Sequence, residues 1–233
     1  MDEERKQRIT DILEALNIHF SEEQSEIFWD GARNLVMAGG EGSGKSYLGG
    51  LWALCMGLTD PRTKLVWIIG ADMEDARKEM DYLIEFAAEL GALDRKGSTI
   101  STHTDQRCRA HVYVPATLQS PAIDFYAETV SGYDPLKIGR EEPDYLIGCE
   151  VSRWSIEVWQ RSQGRLARKY PRSRGFFSGS FETSSGWFPE VFNMGQGPNT
   201  LDVKSFSVPS HANPVLYPGG ASDPAILMLQ DSM

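Results

Sequence analysis

Long apolar runs are missing from this sequence: no stretch reaches the ~18–20 apolar residues that a membrane-crossing helix needs. The charged start, MDEERKQ, lacks the apolar region of a secretory signal, so the expectation is a chain that works in the cytoplasm with no membrane contact. Cysteine is scarce. Cys55, Cys108 and Cys149 form an odd, scattered set without metal-ligand spacing, which fits a reducing compartment. Basic residues are outnumbered, 23 Lys plus Arg against 33 Asp plus Glu, for a net charge of −10. A chain this acidic does not bind nucleic acid through its overall field; such a contact needs a local basic surface or a ring of subunits. Neither an internal repeat nor a low-complexity tract is present. With 233 residues, 41% of them apolar and 24% charged, the composition suits one large α/β domain or two small ones rather than a disordered chain.

What the sequence does contain is a landmark from Asn34 to Leu58, NLVMAGGEGSGKSYLGGLWALCMGL. Asn34 to Ala38 reads as a buried strand, a glycine-rich turn follows, and the apolar segment after it reads as a buried helix. Gly39, Gly44, Lys45 and Ser46 fit G-x-x-x-x-G-K-[ST], the phosphate-binding loop. Glycines let successive backbone N–H groups converge on one anion, and the helix N-terminus adds partial positive charge. Lys45 is then expected on the β- and γ-phosphates of a nucleotide, and the Ser46 hydroxyl on Mg²⁺. The whole loop, Gly39, Gly40, Glu41, Gly42, Ser43, Gly44, Lys45 and Ser46, is the expected nucleotide site. A tight turn that merely contains Gly-Lys-Ser is the plain alternative; the strand before it and the helix after it weigh against that.

Upstream, Ile9, Ile12, Leu13 and Leu16 mark a short amphipathic helix over residues 3–17. Ser21-Glu22-Glu23-Gln24 fits a capping box at the start of a second helix. Gln24 also sits where a side chain upstream of the loop could hydrogen-bond an adenine edge, and the two roles do not exclude each other. Downstream, Lys64 to Gly70 is a second buried strand. Asp72 is expected to cap a helix whose apolar face carries Ala76, Met80, Leu83, Ile84 and Ala87 and which ends at Gly91. Strand–helix alternation argues for a parallel sheet covered on both faces. From Thr99 to Val130 the apolar residues alternate (Cys108, Ala110, Val112, Val114; then Ile123, Phe125, Ala127), as in half-exposed strands added antiparallel at one edge.

Tyr145 to Cys149 forms an apolar strand that ends in Glu150. P-loop ATPases of the RecA-like type end this strand in an acidic pair, with Asp on the Mg²⁺ shell and Glu polarising the attacking water. Here Cys149 stands first, and a thiol is a poor partner for a hard cation that prefers oxygen. Glu150 remains the candidate catalytic carboxylate, beside the alternative of a solvated acid at a strand end. A helix over 154–169 and a strand over 174–179 follow. Arg161, Arg165, Arg168, Lys169, Arg172 and Arg174 form a basic run without an acid. It reads either as a solvated helix face or as a contact for a phosphate backbone or an acidic neighbouring subunit. Asp202 to Pro209 offers one more strand, and a short helix starts near Asp223.

Taken in order, Gln24, GGEGSGKS at 39–46, the strand ending in Glu150, SGSFETSSGWF at 178–188 and HANP at 211–214 resemble the ATPase domain of the large terminase subunit, the DNA-packaging motor of tailed bacteriophages. The resemblance covers nearly the whole chain. It implies an α/β fold of the RecA-like (ASCE) P-loop NTPase type, a mainly parallel β-sheet flanked by helices with a small helical lid. On that division residues 1–30 serve a lid and adenine side, 31–210 the ATPase core, and 211–233 a connection toward a nuclease domain for which this sequence has no room. It also implies hydrolysis of ATP with Mg²⁺ at Ser46 (Glu150 assisting through a water), with Ser178, Gly179 and Ser180 coupling γ-phosphate loss to movement. The implied partners are double-stranded DNA, the portal protein, the small terminase subunit and further copies of the chain in a ring, a pentamer when assembled and a monomer in isolation. The place of action is the host cytoplasm, at the procapsid portal. An arginine donated by a neighbouring subunit maps to Arg140, with Arg153 as the alternative. Two departures stand out: Glu41 where many relatives carry Arg, and Cys149 where they carry Asp. Rival readings are a different RecA-like motor such as a helicase, a small-molecule phosphotransferase, and a nucleotide-binding module that hydrolyses weakly.

Overall fold

The computed structural model describes residues 1–93, 107–118, 120–139, 141–181 and 186–231. Arg140 therefore lies outside the described residues, as do the start of the expected edge segment at Thr99 and part of the coupling stretch at 182–185.

The chain opens with helix α1, Glu3–Ala15, begun by Asp2, whose carboxylate accepts from Arg5 N at 2.8 Å. Helix α2, Glu22–Trp29, starts with both halves of the expected capping box between Ser21 and Gln24. Strand β1, Asn34–Gly39, leads through the glycine loop into helix α3, Lys45–Thr59. Strand β2, Leu65–Gly70, and helix α4, Arg77–Glu89, repeat the unit. Next come β3, Arg109–Val114; β4, Ile123–Ser131; β5, Tyr145–Gly148; and helix α5, Ile156–Ala167. The order closes with β6, Arg174–Gly179; helix α6, Trp187–Met194; β7, Val203–Val208; and helix α7, Pro224–Asp231.

The described strands form one sheet in the order β3-β4-β2-β5-β6-β1-β7. Every neighbouring pair is parallel except β3 with β4. All six residues of β1 are buried, as a strand covered on both faces requires. Alternate residues of each strand feed two cores. Leu35, Met37, Val66, Ile68, Ile147 and Phe176 point to the side of α1 to α4. Val36, Ala38, Trp67, Ile69, Leu146 and Phe177 meet α5 and α6 on the other. The result is a three-layer α/β/α domain. Residues of α1 and α2 (Ile9, Leu13, Ile27, Phe28) belong to the first core, so the N-terminal helices pack on the same body as the sheet. At its centre Trp52 is fully buried, edge-on to Tyr145 with centroids 5.9 Å apart, a pairing of ~0.5–1.5 kcal/mol beyond its area.

Two local expectations are corrected. Asp72 does not cap α4. It accepts from the N–H groups of Glu74 and Asp75 and closes a turn, and α4 starts after Ala76 without a side-chain cap. Only β3 is antiparallel; β4 runs parallel to β2, with Leu65 opposite Tyr126. Its first residues, with Ile123 and Phe125 buried, lie before the stretch that pairs with β2 and pair with β3 alone among the described strands, which is why the pattern there reads like an edge.

Candidate nucleotide site

β1 ends at Gly39, and the loop turns through Gly42 (φ +73°) and Gly44 (φ +89°), left-handed positions that favour glycine. Gly44 begins α3 without any side-chain cap, which leaves the first-turn amides available to an anion. The Lys45 ammonium lies across the loop mouth, donating to Gly39 O at 3.0 Å and Gly40 O at 3.2 Å, and stands 3.6 Å from Glu150 Oε1. Gln24 does two jobs at once. Its Oε1 completes the capping box by accepting from Ser21 N, and its Nε2 donates to Ser43 O at 3.4 Å, fixing α2 to the loop. From the far end of the chain Asn213 donates to Gly42 O at 2.7 Å, and Tyr217 stands over Gly42 so closely that a Cβ there would come 2.7 Å from its hydroxyl. Together these elements enclose a cleft of about 440 Å³, walled further by His19, Tyr47, Lys78, Tyr82 and Leu216. Both its size and its place at the carboxyl edge of a parallel sheet suit a nucleotide.

The acidic wall comes from β5. Beyond Gly148 the chain passes through buried Cys149 to Glu150, held at φ +44° with its side chain partly open to the cleft. β6 separates β5 from β1, and Ser178 on it donates to Gly148 O at 3.4 Å. Gly179 packs against the backbone of Ser152, and Ser180 is half-buried beyond it. The structure therefore brings Ser178, Gly179 and Ser180 beside the strand that presents Glu150. Arg153 is held within its own chain by Asp75 and, at 3.9 Å, Asp72.

Sequence reasoning missed one group. Glu79 on α4 is 2% exposed. Burial pushes its carboxyl up to about 6, and the Cys149 thiol and Ser46 hydroxyl that it faces restrain the rise. Cys149 in turn is pushed well up by burial and by the charge of Glu79. Glu79 Oε2 has no hydrogen-bond partner among the described residues. The Ser46 hydroxyl and an orphaned carboxylate oxygen are the hard donors a Mg²⁺ ion takes, so the residues present fit that ion. A signal existed: Glu79 lies three residues after Ala76 and next to Met80, on the face assigned to the core.

The basic run divides. Arg174 is buried and donates to Asp30 O and Ala32 O, with its guanidinium over Trp52. Arg168 pairs with Glu142, and Lys169 and Arg172 both pair with buried Asp144. Arg161 is exposed and Arg165 half-buried on α5. Most of the run is thus committed to holding α5 and β6 on the sheet.

The fold is of the RecA-like α/β type, and solved structures resemble it. The ATPase domain of the large terminase of Thermus phage P74-26 superposes with a TM-score of 0.63 at 19% identity, over 84% of this chain and 83% of that one. The large terminase of a second thermophilic bacteriophage, in complex with ADP, gives a TM-score of 0.63 at 10% identity over 91% of this chain. A form of it with ATP-γ-S gives 0.55. This chain spans about half of that second protein, 49% of its length. No protein family matches the chain by sequence, and no curated protein matches it either.

Proposed function

We propose that this chain is the ATPase part of a large-terminase motor, hydrolysing ATP to drive double-stranded viral DNA into a procapsid. The observation that carries the reading is the meeting of Lys45 and Glu150, 3.6 Å apart at the mouth of a glycine loop. The likeness of the fold to phage large-terminase ATPase domains supports a motor over a small-molecule phosphotransferase.

In this reading the amides of Glu41 to Ser46 cradle the phosphates and Gln24 faces the base. An arriving phosphate draws the Lys45 ammonium away from the Gly39 and Gly40 carbonyls. That frees Glu150 to orient a water for in-line attack on the γ-phosphate and to accept its proton. Mg²⁺ at Ser46, with Glu150 assisting through a water, would neutralise phosphate charge. An arginine from a neighbouring subunit, Arg140 or Arg153, meets the charge that develops; Arg153 would first have to leave Asp75. Ser178, Gly179 and Ser180 sense loss of the γ-phosphate through the Gly148 contact. With Arg174 buried on backbone carbonyls and Arg168, Lys169 and Arg172 on carboxylates, Arg161 and Arg165, for which no ion pair is found among the described residues, are the side chains left for DNA or a neighbouring subunit. The ring, the portal protein, the small terminase subunit and a site of action at the portal in the host cytoplasm complete the reading.

The test is ATP turnover per subunit, measured against protein concentration with and without linear duplex DNA. Turnover that rises as rings assemble and rises again with intact duplex is expected. Separation of the strands of a partial duplex would point instead to a helicase, and DNA-indifferent turnover would remove the motor.

A further inference from the structure

The acidic wall of the site is short of one carboxylate, because Cys149 occupies the position next to Glu150 on β5. The fold places another carboxylate in the same crevice. Glu79 enters from α4, and its path is set by a glycine: a Cβ built on Gly49 would come 3.3 Å from Glu79 Cγ and 3.3 Å from Ile147 Cγ2. The Glu79 side chain therefore runs between the first turns of α3 and the end of β5. The polar groups it faces there are the Ser46 hydroxyl from one side and the Cys149 thiol from the other, with Glu150 next beyond. It is almost fully buried, and its Oε2 has no hydrogen-bond partner among the described residues. A carboxylate left in this condition is costly unless something positive or hydrogen-bonding meets it. Lys45, the nearest cation of the loop, is engaged with Gly39, Gly40 and Glu150 instead.

We propose that Glu79 supplies, from α4, the metal-side carboxylate that β5 lacks at Cys149. The proposal rests on the reading of this cleft as a Mg²⁺–nucleotide site. It explains why a small, neutral side chain is tolerated at Cys149: a second carboxylate there would face Glu79 across the crevice and repel it. It also fits the close approach of α4 to α3 at Gly49, where a Cβ would crowd Glu79 Cγ at 3.3 Å. Glu79 and Cys149 are then one device, with the oxygen carried by the helix and the room left by the strand.

The test uses the intact chain and a fluorescent ADP analogue, once in EDTA and once across a Mg²⁺ titration, with Mn²⁺ counted directly by electron paramagnetic resonance. Glu79→Gln keeps the shape of the side chain. It is expected to bind the analogue in EDTA as the parent does, yet to need about 10–100-fold more Mg²⁺ or Mn²⁺ for the metal-dependent step. Adding Cys149→Asp to Glu79→Gln moves the carboxylate to β5 and should recover most of that loss. Cys149→Asp alone keeps both acids. Its melting temperature should fall below the parent's without metal and be restored by Mn²⁺ with ADP; this arm still decides the matter if Glu79→Gln does not fold. A folded Glu79→Gln with the parent's metal dependence, or a Cys149→Asp protein whose stability ignores Mn²⁺, would overturn the proposal and leave Glu79 a buried structural acid. A parent that binds no analogue in either condition would overturn the nucleotide site, and this proposal with it.

Discussion

Asn213 and Gly42 lie 171 positions apart in the chain and meet at 2.7 Å, the side-chain amide of the first donating to the backbone carbonyl of the second. The Asn213 carbonyl oxygen also accepts from the N–H groups of Val215 and Leu216, so one residue folds the connection after β7 and fastens it to the loop.

Asn213→Ala should therefore loosen the loop rather than the domain. Of the three hydrogen bonds lost, the one to Gly42 bears on the loop; it is worth ~0.5–1.5 kcal/mol, which corresponds to about a 2- to 10-fold weaker affinity for nucleotide. Calorimetric titration with an ATP analogue checks the value; an unchanged affinity would show that the loop keeps its shape without Asn213.

The divided basic run makes a contrast between two arginines. Arg174→Ala removes three contacts to the carbonyls of Asp30 and Ala32 from a buried position and should destabilise by about 2–4 kcal/mol. Arg161→Ala, on the exposed side of α5, should stay within about 0.5 kcal/mol while weakening any response to duplex DNA. Urea unfolding of the two variants, with the slope monitored, separates them.

All three cysteines are free and buried, and burial raises the thiols of Cys55, Cys108 and Cys149 above the ordinary range. At pH 8 a maleimide should label none of them rapidly in the native chain and all of them in urea. Rapid labelling of Cys149 alone would mean that the crevice between α4 and β5 opens readily.

An arginine acting between subunits is tested by mixing. Arg140→Ala and Glu150→Ala proteins, each inactive alone, should regain part of the parental turnover when assembled together, since arginine fingers contribute about 10³–10⁵ in rate. No recovery in rings shown to be assembled would transfer the role to Arg153 or to a residue within the same subunit.

Local patterns made much of this legible in advance. The strand–glycine loop–helix unit could be read from contiguous residues, and so could the capping box at Ser21 and the apolar strand ending in Glu150. The alternating strands were visible too, but not the direction of β4, because alternation reports which face is buried and not which neighbour pairs. Asp72 looked like a cap because Asp often precedes a helix; it closes a turn one step earlier. The basic run looked free because its partners, Asp144 and Glu142, lie on the segment before β5. Glu79 escaped notice for the same reason. Its importance comes from Ser46 and Gly49 on α3 and from Cys149 just past β5, two other segments; the helix pattern puts Glu79 on the core face but names none of these neighbours.

The central claim is that Lys45 and Glu150 form the working centre of an ATP-hydrolysing site, and the most direct measurement is steady-state ATP turnover alongside nucleotide affinity for the parent, Lys45→Ala and Glu150→Gln. Glu150→Gln should bind ATP at least as tightly as the parent, because a negative charge beside the phosphates and a competitor for Lys45 are both gone. Its turnover should fall by about 10²–10⁴-fold, the usual contribution of a positioned base. Lys45→Ala should lose binding and turnover together while keeping the fold. A folded Lys45→Ala protein that hydrolyses ATP at the parental rate would contradict the assignment of this site.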